Sequence, residues 1–245
     1  MARISCVICA YNEADRIQPI LDVVVGHPDI AEVIVVNDGS TDATEALLRS
    51  HHGITLISYP QNKGKTFALS EGIAAAQNEL VMLLDADLSG ITASDIRELA
   101  HPVLQGTADA SISLRRNSLW IYRLIGLDFV SGERVLPRAL LEEAVQTMQT
   151  LPRWGGEVFM NEQLVKDKRR IAVVRWPNVN NVRKYTKVGL LHGVAEELRM
   201  INDACSVISL QGVFMQNIRL LRLKVSATPR VTYSSESDSP TLRSM

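Results

Sequence analysis

The chain has 245 residues, of which 46% are hydrophobic and 22% charged, with a formal net charge of −1. That length supports one well-buried domain with an appendage, and the composition excludes a disordered or fibrous chain. No apolar run nears the ~18 residues of a membrane span, and Met1, Ala2 and Arg3 lead into a strand pattern rather than a leader core, so a cytoplasmic protein is expected.

The first strand is predicted over residues 4–11, and Asn12 with Asp15 three residues on reads as the cap of a helix reaching Val25. A second strand over 32–36 ends in Asn37, Asp38, Gly39, Ser40, Thr41 and Asp42. Gly39 makes the turn, and Ser40 or Thr41 caps a helix over 42–50. A third strand over 54–59 gives way to Asn62, Lys63, Gly64 and Lys65 and a helix to Ala76. Five apolar residues, Leu80 to Leu84, then form a strand buried on both faces, which stops at Asp85, Ala86 and Asp87.

Strands and helices alternating in this way predict a doubly wound, mainly parallel α/β sheet, whose ligands bind outside the carboxyl ends of the strands. Asp85 and Asp87, two residues apart at such an end, can share a hard divalent cation, Mg2+ or Mn2+, that in turn holds phosphate oxygens. Asp38 can accept a hydrogen bond from a base or ribose, and Lys63 and Lys65 can offer point charges to phosphate. A solvated turn remains the alternative for each taken singly. Cys6, Cys9 and Cys205 are odd in number, and the first two share one strand, so packing roles in a reducing compartment are expected rather than disulfides or zinc.

The ordered series Ala10, Tyr11, Asn12, Glu13; Asn37 to Asp42; Asn62 to Lys65 with Ala68 and Gly72; and Asp85, Ala86, Asp87, Leu88 resembles the family 2 glycosyltransferases of GT-A fold over residues 3–114. The resemblance implies a nucleotide-diphosphate sugar donor, UDP- or GDP-linked, a divalent metal, and inversion at the anomeric carbon. By position it implies base and ribose contacts for Ala10, Tyr11 and Glu13, a base contact for Asp38, and ribose or sugar contacts for Asp85 and Ala86. Lys65 joins this donor set, and Asp87 with Asp85 would meet the metal. Asn37 departs from the pattern, since many members carry Asp there.

Residues 1–114 hold six Lys and Arg against fifteen Asp and Glu, whereas residues 115–225 hold eighteen against ten. A basic second half suits an anionic ligand or surface, and no nucleic-acid partner is expected. A fifth strand is predicted over 109–114, followed by Arg115 and Arg116 and by a mixed segment to Leu127. Asp128, Ser131, Gly132 and Arg134 then resemble the Asp-x-x-Ser-Gly-x-Arg segment of transferases acting on polyprenyl phosphates, with Glu133 where Phe is usual. That resemblance makes Arg116, Arg134 and Arg138 diphosphate or acceptor-phosphate candidates. A helix is expected from Pro137 to Thr150. After Trp154, Gly155 and Gly156, a further helix over 157–166 carries Glu157 and Glu162, and a strand follows over 169–176.

Glu157, or else Glu162, is the candidate catalytic base that an inverting transfer to a hydroxyl requires, with Asp128 as second choice. Residues 177–193, with Arg183, Lys184, Tyr185 and Lys187, read as a lid over the diphosphate. A long helical pattern over 194–224 reads as a packing or dimer helix, or as an interfacial helix on an anionic membrane. Residues 226–245 read as a disordered tail.

The expected organisation is therefore a GT-A domain over 1–193, with a donor half (1–114) and an acceptor half (115–193), then a C-terminal helical extension (194–225) and a tail. The acceptor is a polyprenyl phosphate or a saccharide. A nucleotidyltransferase would want a Gly- and Arg-rich loop after the first strand, which Tyr11, Asn12 and Glu13 do not provide. A non-catalytic nucleotide-sugar-binding or assembly protein on the same fold is the alternative.

Overall fold

In a computed structural model, the described residues are 3–142, 145–152, 155–181 and 207–227. The elements run β1 (Ile4–Ala10), α1 (Gln18–Val24), β2 (Ile30–Asp38), α2 (Thr44–Ser50), β3 (Thr55–Tyr59), α3 (Lys65–Ala75), β4 (Leu80–Asp85), β5 (Leu88–Ser89) and α4 (Ala93–Leu104). They continue with β6 (Ala110–Arg115), α5 (Trp120–Ile125), β7 (Arg134–Pro137), α6 (Arg138–Glu142), α7 (Val145–Thr150), α8 (Gly156–Lys166), β8 (Ile171–Trp176), β9 (Asn180–Asn181), α9 (Leu210–Arg222) and β10 (Lys224–Val225).

Eight strands form one sheet in the order β10-β8-β6-β7-β4-β1-β2-β3. All neighbours pair in parallel except β7, which lies antiparallel between β4 and β6. This is the expected mainly parallel α/β sheet, and the apolar runs of β1 and β4 sit at its centre because helices cover both faces. One apolar layer gathers Ile4, Cys6 and Ile8 with Ile20, Leu21, Ile96 and Leu99 from α1 and α4. The other gathers Val7, Val81 and Leu83 with Leu69, Ile73, Met160 and Leu164 from α3 and α8. Cys6 and Cys9 are free, and three residues apart on a strand they point to opposite layers, so they pack as expected and share no ligand.

Several boundaries differ from expectation. The first helix begins at Gln18 and not at Asn12, which instead takes a left-handed backbone, φ +58°, and spends its side-chain oxygen on the Thr41 amide at 2.8 Å. The second helix begins at Thr44, beyond Ser40 and Thr41. Asp42 accepts the Thr44 amide at 2.9 Å, and Ser40 accepts the Asn12 amide at 3.0 Å.

The structure adds α4, with a capping box between Thr92 and Asp95, and β7, which takes Pro137 away from the helix expected there. The remainder of that helix appears as α6 and α7. Ser209 caps α9 by accepting the Gly212 amide at 3.1 Å, so the continuous helix expected over 194–224 does not pass through Ser209. From α9, Gln216 donates to the Val158 carbonyl and to Glu162, which ties the helix to α8. Arg183, Lys184, Tyr185 and Lys187 of the expected lid, Cys205, Trp154 and the tail beyond Ala227 lie outside the described residues.

Candidate functional site

The carboxyl ends of β1, β2, β3 and β4 share one edge of the sheet, so parallel pairing brings Tyr11, Asp38, the 60–64 loop and Asp85 to the same side. Asp38 is nearly fully buried, and its two carboxylate oxygens accept the backbone amides of Lys63 at 2.7 Å and Gly64 at 3.0 Å. Asp38 thus holds the loop that opens α3. Gly39, at φ +67°, is needed there, because a side chain would meet the Asn62 nitrogen at 2.5 Å. Asn37, the departure from the family pattern, bonds Ser58 at 3.0 Å and accepts the Ser40 amide at 3.3 Å, bracing the same turn. Glu13 is buried beside Arg16, Tyr11 stands exposed, and Ala10 is buried at the end of β1.

Lys63 extends over the Phe67 ring at 4.2 Å. Lys65 turns inward and lies between Asp85 (2.7 Å) and Glu157 (2.8 Å). Burial opposes its charge, yet Asp85 and Glu157 raise its affinity for the proton above that of an ordinary lysine. Glu157 comes into reach because Thr66 on α3 accepts the Gly156 amide at 3.0 Å, fixing the start of α8 against the start of α3. Glu162 faces α9 and is not part of this cluster.

Arg115 extends the cluster to the acceptor half. Its guanidinium lies 2.5 Å from Glu133, 3.7 Å from Asp85 and 3.8 Å from Asp128. Burial alone would weaken its charge, and Glu133, then Asp85 and Asp128, more than restore it. Glu133 is fully buried and accepts the hydroxyls of Ser113 and Ser131, each at 2.7 Å. The family resemblance points to Arg116, yet strand alternation puts Ser111, Ser113 and Arg115 on one face of β6, and Ser113 and Arg115 both meet Glu133. Arg116 is exposed at the rim.

Arg134 is fully buried, bonding the Ser131 carbonyl and Asn161 on α8 at 3.1 Å, and burial lowers its pKa. Arg138 does not join the site: it donates to the Asn78 carbonyl at 3.1 Å, at the amino end of β4, because β7 runs antiparallel and carries it to the opposite edge. Gly132 packs so closely that a Cβ there would meet Asp85 at 2.5 Å and Lys65 at 2.8 Å. Asp128 is buried, and that burial raises its pKa.

Asp85 and Asp87 are half-buried, with buried Ala86 between them. Among the described residues no three His, Cys, Asp or Glu side chains gather into a ready-made metal cage. The donor set still fits Mg2+ or Mn2+ held by one or two carboxylates and completed by substrate phosphates and water. Asp85, Asp87, Asp128, Glu133 and Glu157 act on Lys65, Arg115 and Arg134, leaving an excess of two negative charges that a divalent ion would offset. Beside Arg115, Arg116, Arg123, Arg175 and Trp176 line a cavity of about 360 Å³ that offers cations to an anion.

Known proteins share the family pattern and the fold of this chain. The profile of the family described as Glycosyl transferase family 2 matches residues 5–128. A dolichyl-phosphate beta-glucosyltransferase of Trichomonas vaginalis is 38% identical over 94 residues, 33% of this chain and 28% of that protein. A dodecaprenyl-phosphate galacturonate synthase of Rhizobium johnstonii is 29% identical over 235 residues, 83% of this chain and 66% of that protein. The chain therefore spans between about a quarter and two thirds of these relatives. Glucosyl-3-phosphoglycerate synthase from Mycobacterium tuberculosis, solved with Mn2+, UDP-glucose and phosphoglyceric acid, shares the fold at a TM-score of 0.67 and 24% identity, covering 84% of this chain and 79% of that one.

Proposed function

The chain belongs to glycosyl transferase family 2, and from that premise we propose that it moves a sugar from a nucleoside-diphosphate sugar to a phosphorylated acceptor, with a divalent cation. The observation that carries this reading is the pairing of both candidate bases. Glu157 is bound to Lys65 at 2.8 Å, and Asp128 sits 3.8 Å from Arg115. Both carboxylates are buried and already face a cation of this chain, so neither is turned out to receive a proton from an incoming hydroxyl. A hydroxyl acceptor needs its proton removed, whereas a phosphate oxygen is already ionised at neutral pH and needs no base. The arginine-lined cavity beside Arg115 supports the same choice, and so do the polyprenyl-phosphate relatives.

In this reading Asp87 and Asp85 hold the cation, which when bound supplies Lewis-acid stabilisation of the departing diphosphate. Lys65, at 2.7 Å, orients Asp85. Asp38 and Asn37 hold the turn and the 60–64 loop in place, beside which Tyr11 and Glu13 take the base and ribose. Arg115, fixed by Glu133, stands between donor and acceptor and steadies negative charge on both. Attack by the phosphate oxygen opposite the leaving group inverts the anomeric carbon.

The test is release of nucleoside diphosphate from UDP- and GDP-sugars with Mg2+ or Mn2+, offered either a polyprenyl phosphate or a neutral saccharide. Release is expected with the phosphate acceptor. Release with the saccharide alone would return Glu157 to the role of base. Donor binding without release to any acceptor would favour a non-catalytic nucleotide-sugar-binding protein.

A further inference from the structure

Between the end of β6 and Asp128 the chain reads Arg115, Arg116, Asn117, Ser118, Leu119, Trp120, Ile121, Tyr122, Arg123, Leu124, Ile125, Gly126 and Leu127, without one acidic residue. Its helix, α5, buries none of its residues. Trp120 is 73% exposed and Leu124 74%, and Leu119, Ile121 and Ile125 are exposed beside them. Only Tyr122 turns back, packing edge-on against Phe129 with ring centroids 4.7 Å apart. So much apolar surface on so short a helix is far outside what scattered surface residues explain.

The protrusion is held at both ends. Arg116 donates its amide to the Val179 carbonyl at 3.2 Å, and Asn117 bonds the Asn181 carbonyl at 2.8 Å. At the other end Gly126 donates to the Tyr122 carbonyl at 2.8 Å, Lys224 donates to the Gly126 carbonyl at 2.8 Å, and Leu127 is buried. Apolar tips are thus presented on a fixed base, and the base is cationic: Arg116, Arg123 and Arg175 line the cavity next to it, together with Arg115.

We propose that α5 is a membrane-docking face that seats Trp120, Leu124 and their apolar neighbours in the interface of an anionic bilayer while Arg116, Arg123 and Arg175 meet lipid headgroups. An aromatic and aliphatic tip above a basic rim is the chemistry of interfacial anchoring. The charge selects a lipid surface over a second copy of this chain, because a symmetric contact would set the same arginine rim against itself. The inference rests on the proposed phosphate acceptor for its purpose: Arg115 belongs both to the rim of the cavity and to the carboxylate cluster, so docking brings a lipid-borne phosphate to the donor site. It also places the membrane contact away from the C-terminal helix, for which an interfacial role was one of the two readings of the sequence.

The full chain is floated with vesicles of equal parts phosphatidylglycerol and phosphatidylcholine, and with phosphatidylcholine alone, for wild type and for the double variant Trp120→Ala, Leu124→Ser. Both side chains are exposed, so the variant should fold, and a cooperative urea unfolding transition matching that of wild type, measured without donor or lipid, checks this separately from the donor reading. The expected result is binding to the anionic vesicles, weakened at least about tenfold in the variant, with little binding to the neutral ones. Vesicle binding unchanged in the variant would overturn the assignment, as would no vesicle binding at all. Lipid-independent self-association lost in the variant, without vesicle binding, would give the face to a second copy and overturn it too.

Discussion

The donor half and the acceptor half build their parts of the site by different means. In the first, polar side chains at strand ends are tied to backbone: Asp38 to the amides of Lys63 and Gly64, Asn12 to that of Thr41, Asp42 to that of Thr44. In the second, charged side chains are tied to one another across long stretches of sequence, as Glu133 is to Arg115, Ser113 and Ser131. Backbone partners follow from local turn chemistry. Side-chain partners exist only once β6, β7 and α8 have packed, and a buried charge among them is costly if its partner is lost.

The largest test of that contrast is Glu133→Ala. It takes from buried Arg115 its nearest carboxylate and from Ser113 and Ser131 their shared acceptor, and urea denaturation should show a loss of about 3 kcal/mol. A loss under about 1 kcal/mol would mean that the ionic network is no more than surface pairing. Next comes Gly132→Ala, where the atoms in the way are the ends of Asp85 and Lys65. These can move, so the fold should survive while Asp85 shifts, and kcat/KM should fall about a hundredfold with little change in Tm.

Asp38→Ala should cost about 2 kcal/mol, the penalty of leaving the Lys63 and Gly64 amides without their acceptor. If it costs as much as Glu133→Ala, the two halves are not built differently. The smallest effect concerns Asp128, whose pKa burial raises in the fold. The folded protein then takes up this proton more readily than the unfolded chain, so ionising Asp128 costs stability as pH rises through its raised value. Asp128→Asn should therefore be the more stable at neutral pH, and the difference should shrink as pH falls and wild-type Asp128 protonates. Unfolding midpoints across that pH range check the sign.

The same contrast explains what could be read from sequence. The strands β1 to β4 and their terminal Asp38, Asp85 and Asp87 were legible, because a buried parallel strand announces itself as an apolar run ending in polar residues. The helix starts at Asn12 and Ser40 were misplaced, since those side chains cross from one loop to the other and do not cap their own helix. Arg138 was assigned to the site because the antiparallel turn of β7 was missing from the expected topology. Arg115 was passed over for Arg116, although alternation along β6 would have chosen between them. Glu133 was noted only as a departure from the family pattern, and its partner could not be named before β6 and β7 were paired. The apolar residues of α5 carry no period that distinguishes an exposed helix from a buried one, so only the fold shows that they face outward.

The central claim is that the carboxylates closing β4 bind donor and metal together. It is tested most directly by thermal stabilisation of wild type and Asp87→Ala with UDP, GDP and their sugars, in Mn2+, Mg2+ or chelator. Wild type should be stabilised by one nucleotide in the presence of metal, by about 2.7 kcal/mol at a hundredfold excess over Kd, and Asp87→Ala should lose that response while folding normally. Equal stabilisation of both proteins, or stabilisation that persists in chelator, would contradict it.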